Sequence, residues 1–102
     1  MKSSKDNTDV AAWAADRVPP DVERVMCFVY RYRKVIGTGP AWSDIIDAMG
    51  WQHIPREDWR RKFKRMRRWG LRWEMNKMNS TSISRAALPF VKAKAEVLVH
   101  HV

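Results

Sequence analysis

The sequence predicts a mainly α fold with a small β-hairpin: a three-helix core plus wing, with an extra helix at each end. Three observations carry this. Apolar residues recur three and four apart in successive segments up to Gly70, the spacing of amphipathic helices. At Leu71 the spacing switches to alternation, as in a strand. Turn residues fall between these segments, at Pro19-Pro20, Gly37-Thr38-Gly39-Pro40, Gly50 and Gly70.

Residues 1–20 read as an N-terminal arm. Residues 1–7 are polar enough to be expected without fixed structure. Thr8 or Asp9 then caps a short helix through Arg17. The central unit spans residues 21–85. Asp21 is the expected cap of a longer helix, about Val22 to Val35, with Val22, Val25, Met26, Val29, Tyr32 and Ile36 on one stripe. A second helix covers Trp42 to Met49, with Ile45, Ile46 and Met49 inward and Ser43, Asp44 and Asp47 outward. Pro55 suits the start of a third helix, and Glu57 and Asp58 suit its positive N-terminal end. That helix is expected to run to Trp69. Trp59, Phe63, Met66 and Gly70 form its seam, and cations cover most of the rest.

Leu71, Trp73 and Met75 alternate with Arg72, Glu74 and Asn76, and Ser82-Ile83-Ser84 supplies a returning strand. Residues 86–102 fit either period. Ala, Lys and Glu in the middle favour helix. Its stripe Val91, Ala95, Leu98 and Val102 is a possible dimer contact, and packing on its own domain is the competing role.

Composition narrows the partners. The chain has 102 residues and a formal net charge of +9. Such a balance suits a polyanion: DNA, RNA or an anionic surface. Like charges three and four apart on a helix repel, and a polyanion laid against them relieves that. Cys27 is the single cysteine, so no intramolecular disulfide forms, which suits a reducing cytoplasm. No apolar run approaches the ~20 residues of a membrane span, and the N-terminus lacks the apolar stretch of a signal peptide. No nucleophile–base pair, phosphate loop or carboxylate dyad is present, and His53, His100 and His101 lack metal-ligand spacing. No enzyme, cofactor, metal site or small-molecule ligand is therefore expected.

Helix, turn, short helix, turn, basic helix, hairpin is the order of a winged helix-turn-helix. There a helix enters the major groove, a preceding helix braces it, and the hairpin touches phosphate or the adjacent minor groove. Gly39-Pro40-Ala41-Trp42-Ser43-Asp44-Ile45-Ile46-Asp47-Ala48-Met49-Gly50-Trp51 resembles the helix-turn-helix of LexA-type SOS repressors. That family has a Pro, an acidic-Ile pair, a Leu-like residue and a Gly-aromatic pair at matching places. The likeness extends ungapped through Trp59 to Leu71, with Phe63 and Met66 at core leucine positions, and spans about Asp21 to Ile83. It implies a double-stranded DNA partner, with the family's base-contacting positions at Pro55, Glu57, Asp58, Arg60 and Arg61. The last two are acidic in that family, so its operator preference does not transfer. Ala41 replaces the hydroxyl cap usual there. No serine–lysine self-cleavage segment follows, so regulation by autoproteolysis is not expected.

The helical wheel assigns similar roles. Arg56, Glu57, Arg60 and Arg61 are the expected base contacts, since Arg offers two donors to guanine and Glu accepts from cytosine. Lys64, Arg65, Arg67 and Arg68, with Arg72 and Lys77 on the hairpin, are the expected phosphate contacts. The expected role is a sequence-specific transcriptional regulator, repressor-like and resembling those of phage or mobile elements. It would act in the cytoplasm at the nucleoid, with a homodimer as the form that suits paired half-sites. Two other roles fit the same features: a DNA-architectural or recombination directionality factor, and a module that binds a host enzyme.

Overall fold

A computed structural model describes residues 7–100, with the side chains of residues 98–100 left aside. The expectation for residues 1–6 therefore lies outside the described residues. The helices are α1 (Val10–Ala14), α2 (Pro20–Ile36), α3 (Trp42–Met49), α4 (Arg56–Met66) and α5 (Leu88–His100). The strands β1 (Leu71–Arg72) and β2 (Ser82–Ile83) lie between α4 and α5 and pair antiparallel, with Leu71 opposite Ile83 and Arg72 opposite Ser82. The architecture is mainly helical with one small two-stranded sheet.

Local chemistry sets each boundary. The Asp9 carboxylate accepts from the Ala12 amide at 3.1 Å and starts α1. The helix stops at Ala14, short of the expected Arg17. Asp16 turns left-handed at φ 56°, and the Asp16 and Arg17 amides return to the Trp13 and Ala12 carbonyls. At α2 the cap position belongs to Pro19 and the first turn to Pro20, so Asp21 is not the cap. Proline lacks the amide that a helix start leaves unused, and its φ is preset. In α3 the Ala41 position has no hydroxyl, but the Asp44 carboxylate accepts from the Ala41 amide at 2.9 Å. Asp44 is thus a capping residue rather than a plain outward one.

The basic helix closes earlier than expected. After Met66 it tightens into a 3-10 turn, Arg67–Trp69, and ends at Gly70 with φ 113°. A Cβ on Gly70 would lie 2.6 Å from the Ala87 Cβ and 2.7 Å from the Ser84 hydroxyl, so glycine also permits a close approach there.

The hairpin pairs only briefly. Met75 is 78% exposed instead of continuing the alternation inward. The return from the tip docks on the segment before α3. Asn79 and Gly39 exchange two hydrogen bonds, at 3.1 and 3.2 Å. The buried Thr81 hydroxyl donates to the Pro40 carbonyl at 2.6 Å, and Arg33 donates to the Thr81 carbonyl at 2.9 Å.

Residues 88–100 are helical, which resolves the two readings of the C-terminal segment. The Ser84 hydroxyl accepts from the Ala87 amide at its start. The helix lies against α2, which also contacts α3 and β2. Val91 and Ala95 are buried in the chain's own core at 0% and 1% exposure. The expected dimer contact is corrected accordingly: these two residues are already covered by their own domain. Leu98 and Val102 lie outside the described side chains.

One core therefore joins all three segments. It contains Ala12 and Trp13 of the arm, Val22, Val25, Met26 and Val29 of α2, Ile45, Phe63, Met66 and Leu71, and Val91 and Ala95 of α5. Fully burying a side chain such as Phe63 or Met66 contributes about 1.5–3 kcal/mol. The α2 stripe ends sooner than expected: Ile36 is exposed, and Tyr32 is only half-buried.

Candidate nucleic-acid interface

The α4 seam fixes which side chains face outward. Phe63 and Met66 are buried, and Trp59 is half-buried. Trp42 packs edge-on against Phe63 with centroids 4.1 Å apart, and its ring also meets Trp59 and Trp73. This aromatic cluster holds α4, α3 and the base of the hairpin together. With the seam inward, Arg56, Glu57, Arg60, Arg61, Lys64 and Arg65 are exposed, as are Arg67 and Arg68 on the 3-10 turn.

The cations divide into two files. Arg56, Arg60, Lys64 and Arg67 succeed one another at helical spacing along one flank of α4, and the last of them meets the hairpin. None of these four has a carboxylate partner among the described residues. Arg67 closes the file, with its guanidinium 4.2 Å from the Trp73 ring centroid. Arg56 lies 6.0 Å from the Trp59 centroid at the other end.

The far flank is partly neutralised, with Arg65 the exposed cation there that has no carboxylate partner among the described residues. Arg61 pairs with Asp58 at 3.3 Å, Lys62 with Asp21 at 3.6 Å and Arg68 with Asp9 at 3.2 Å. Such exposed pairs are weak, typically 0.2–1 kcal/mol, and a phosphate can displace the carboxylate. An open groove of about 420 Å³ runs beside this flank, lined by His53, Ile54, Pro55, Asp58, Arg61, Lys62 and Arg65.

The hairpin cations differ from their expected setting. Arg72 is half-buried, and its guanidinium donates to the Arg67 carbonyl at 2.8 Å, the Leu71 carbonyl at 3.0 Å and the Thr8 hydroxyl at 3.3 Å. It braces the arm, the 3-10 turn and β1 rather than reaching outward. Lys77 is exposed at the tip and lies 3.6 Å from Glu74.

Sequence reasoning missed the arm's part in the surface. The Asp9 amide donates to the Arg68 carbonyl at 2.7 Å, and the Trp13 indole donates to the Trp69 carbonyl at 2.8 Å. Thr8 and Ser84 share a hydroxyl hydrogen bond at 2.5 Å. These partners are far apart in the chain, so no local pattern reveals them.

Among the described residues no three His, Cys, Asp or Glu side chains converge as a metal site would need. No helix among them is long and apolar enough to cross a membrane. Comparison with protein-family models, curated proteins and solved structures finds no match.

Proposed function

We propose that this protein binds double-stranded DNA as a winged helix-turn-helix transcriptional regulator. In this reading α4 enters the major groove, α3 braces it across the backbone, and the β1–β2 hairpin is the wing. The observation that carries the reading is the unneutralised file Arg56–Arg60–Lys64–Arg67. Its cations are exposed along one flank of the buried Phe63–Met66 seam, and Arg67 at its end meets the hairpin at Trp73. Arg56 and Arg60, near the start of α4, suit base edges, and Glu57 suits an exocyclic amine. Lys64, Arg65 and Arg67 suit phosphates. Arg61 and Arg68 join them only by leaving Asp58 and Asp9. Arg72, engaged by Arg67, Leu71 and Thr8, serves the scaffold.

The test is duplex binding as a function of salt. Each neutralised phosphate contributes a slope of about −0.9 in log affinity against log salt. Roughly five contacts give a slope near −4.5, which is a loss of several hundredfold between 50 and 200 mM salt. Selection from a random duplex pool at low salt supplies the binding sites. Absence of duplex binding at 50 mM salt, or a flat salt dependence, refutes the reading.

A further inference from the structure

The tip of the hairpin presents two apolar side chains to solvent. Met75 and Met78 are 78% and 81% exposed. They belong to a short repeated pattern, Met75-Asn76-Lys77-Met78-Asn79. Asn76 and Asn79 both take the left-handed conformation, at φ 60° and 58°. Asparagine tolerates that conformation, so the loop makes two successive tight turns with a methionine just before the bend of each.

The tip is tied at its base. The Ser80 hydroxyl accepts from the Glu74 amide at 2.9 Å and donates to the Lys77 carbonyl at 2.8 Å. Asn79 exchanges two hydrogen bonds with Gly39 in the segment before α3. Here the hydrogen bonds hold the loop closed, and the methionines stay in solvent.

The file of α4 ends at the foot of the hairpin, where Arg67 covers Trp73. At the tip Lys77 lies between the two methionines in sequence and pairs with Glu74 at 3.6 Å, an exposed pair that a phosphate can displace. A polyanion engaged along α4 as far as Arg67 is thus led to the hairpin that carries the methionines. An apolar side chain inserted between base pairs unstacks a step and kinks the duplex. Methionine suits this, being unbranched, polarizable and able to fit an irregular gap.

We propose that Met75 and Met78 form a wedge that enters the minor groove beside the α4 site and bends the duplex. The inference rests on the DNA-binding reading above and adds to it a bent product and a preference at a site α4 does not touch. Flexible pyrimidine–purine steps deform most easily, so the wedge selects TA or CA steps at a fixed offset from the bases read by α4.

The experiment measures the bend of a selected duplex by energy transfer between end labels, with the intact chain and two double variants. Both methionines are exposed, so the variants keep the fold, which unchanged thermal melting verifies. The native protein should bend DNA by roughly 20–90°, the range of wedge-inserting proteins. Met75→Ala with Met78→Ala should lose more than half of that bend while keeping the salt slope, because no charge changes. Met75→Leu with Met78→Leu should retain the bend, since leucine still fills a step. An unchanged bend in the alanine double variant, or straight DNA in the native complex, overturns the wedge and leaves duplex binding standing. Absence of duplex binding by the native chain overturns both.

Discussion

The guanidinium of Arg67 lies 4.2 Å from the centroid of the Trp73 ring, and this contact joins the basic helix to the hairpin. It holds a cation at the junction while leaving its outer face to solvent. The flank beginning at Arg56 and ending at Arg67 therefore leads onto the hairpin without an intervening carboxylate partner among the described residues.

The opposite flank makes a counterintuitive prediction. Asp58 and Asp9 compete with phosphate for Arg61 and Arg68. Asp58→Asn and Asp9→Asn should each tighten duplex binding at low salt, by up to about fivefold for a pair worth 0.2–1 kcal/mol. Asparagine caps a helix about as well as aspartate, so α1 survives the second change. Titration by fluorescence anisotropy checks this, and weaker binding by either variant would refute the competition.

Gly39 and Gly70 are predicted to resist substitution. A Cβ on Gly39 would run into the carbonyl of Thr81, and one on Gly70 would meet Ala87 at a strained φ. Gly70→Ala should cost about 1–3 kcal/mol or more, seen as a lower midpoint in urea. Gly37→Ala is the comparison: its φ of 99° is also strained, but nothing lies within 4 Å of the added carbon. It should cost less than Gly70→Ala. Equal losses would mean that the contact with Ala87 is immaterial.

Cys27 is predicted to be inert in the native chain. It is buried at 3% exposure, and burial pushes its thiol up from the ordinary value, although Arg31 opposes this. The thiolate is the reactive form, so a disulfide reagent should modify native Cys27 far more slowly than the urea-unfolded chain. Comparable rates at pH 8 would contradict the packing of α2 against α5.

Lys94 gives a pH signature. Its ammonium donates to Asp16 at 2.9 Å and lies 3.6 Å from Glu23. The hydrogen bond to Asp16 raises its proton affinity above the ordinary lysine value, with desolvation opposing. A raised folded value stabilises the protein below the unfolded lysine pKa, and that stability is lost as pH climbs through the folded value. Asp16→Asn should therefore lower stability at neutral pH by about 0.2–1 kcal/mol and shift alkaline unfolding to lower pH. Asparagine accepts the left-handed φ of 56° at this position, so the change isolates charge. An alkaline transition that does not move would show that the pair contributes nothing.

Periodicity made much of the scaffold legible. Phe63, Met66 and Leu71 are buried as the seam and the change of period indicate, and Gly37, Gly50 and Gly70 close helices in left-handed conformations. What the sequence concealed depends on distant partners. Arg72 looks like any exposed cation until its bond to Thr8, 64 positions away, is seen. Ile36 continues the α2 stripe in sequence, yet it is exposed. The C-terminal stripe was ambiguous for another reason: a helix can cover its own domain or a second copy with the same residues. Val91 and Ala95 are covered by their own.

The ring cluster around Trp42 has a spectroscopic consequence. Trp59 and Trp73 each combine partial burial with a guanidinium close to the ring. Their emission depends on where those two cations sit. Any ligand that draws Arg56 and Arg67 toward itself alters the light from these indoles, while the buried Trp13, stacked on Phe90, has no cation against its ring among the described residues. The chain thus carries its own optical gauge of the basic file and an internal reference beside it, with no dye attached.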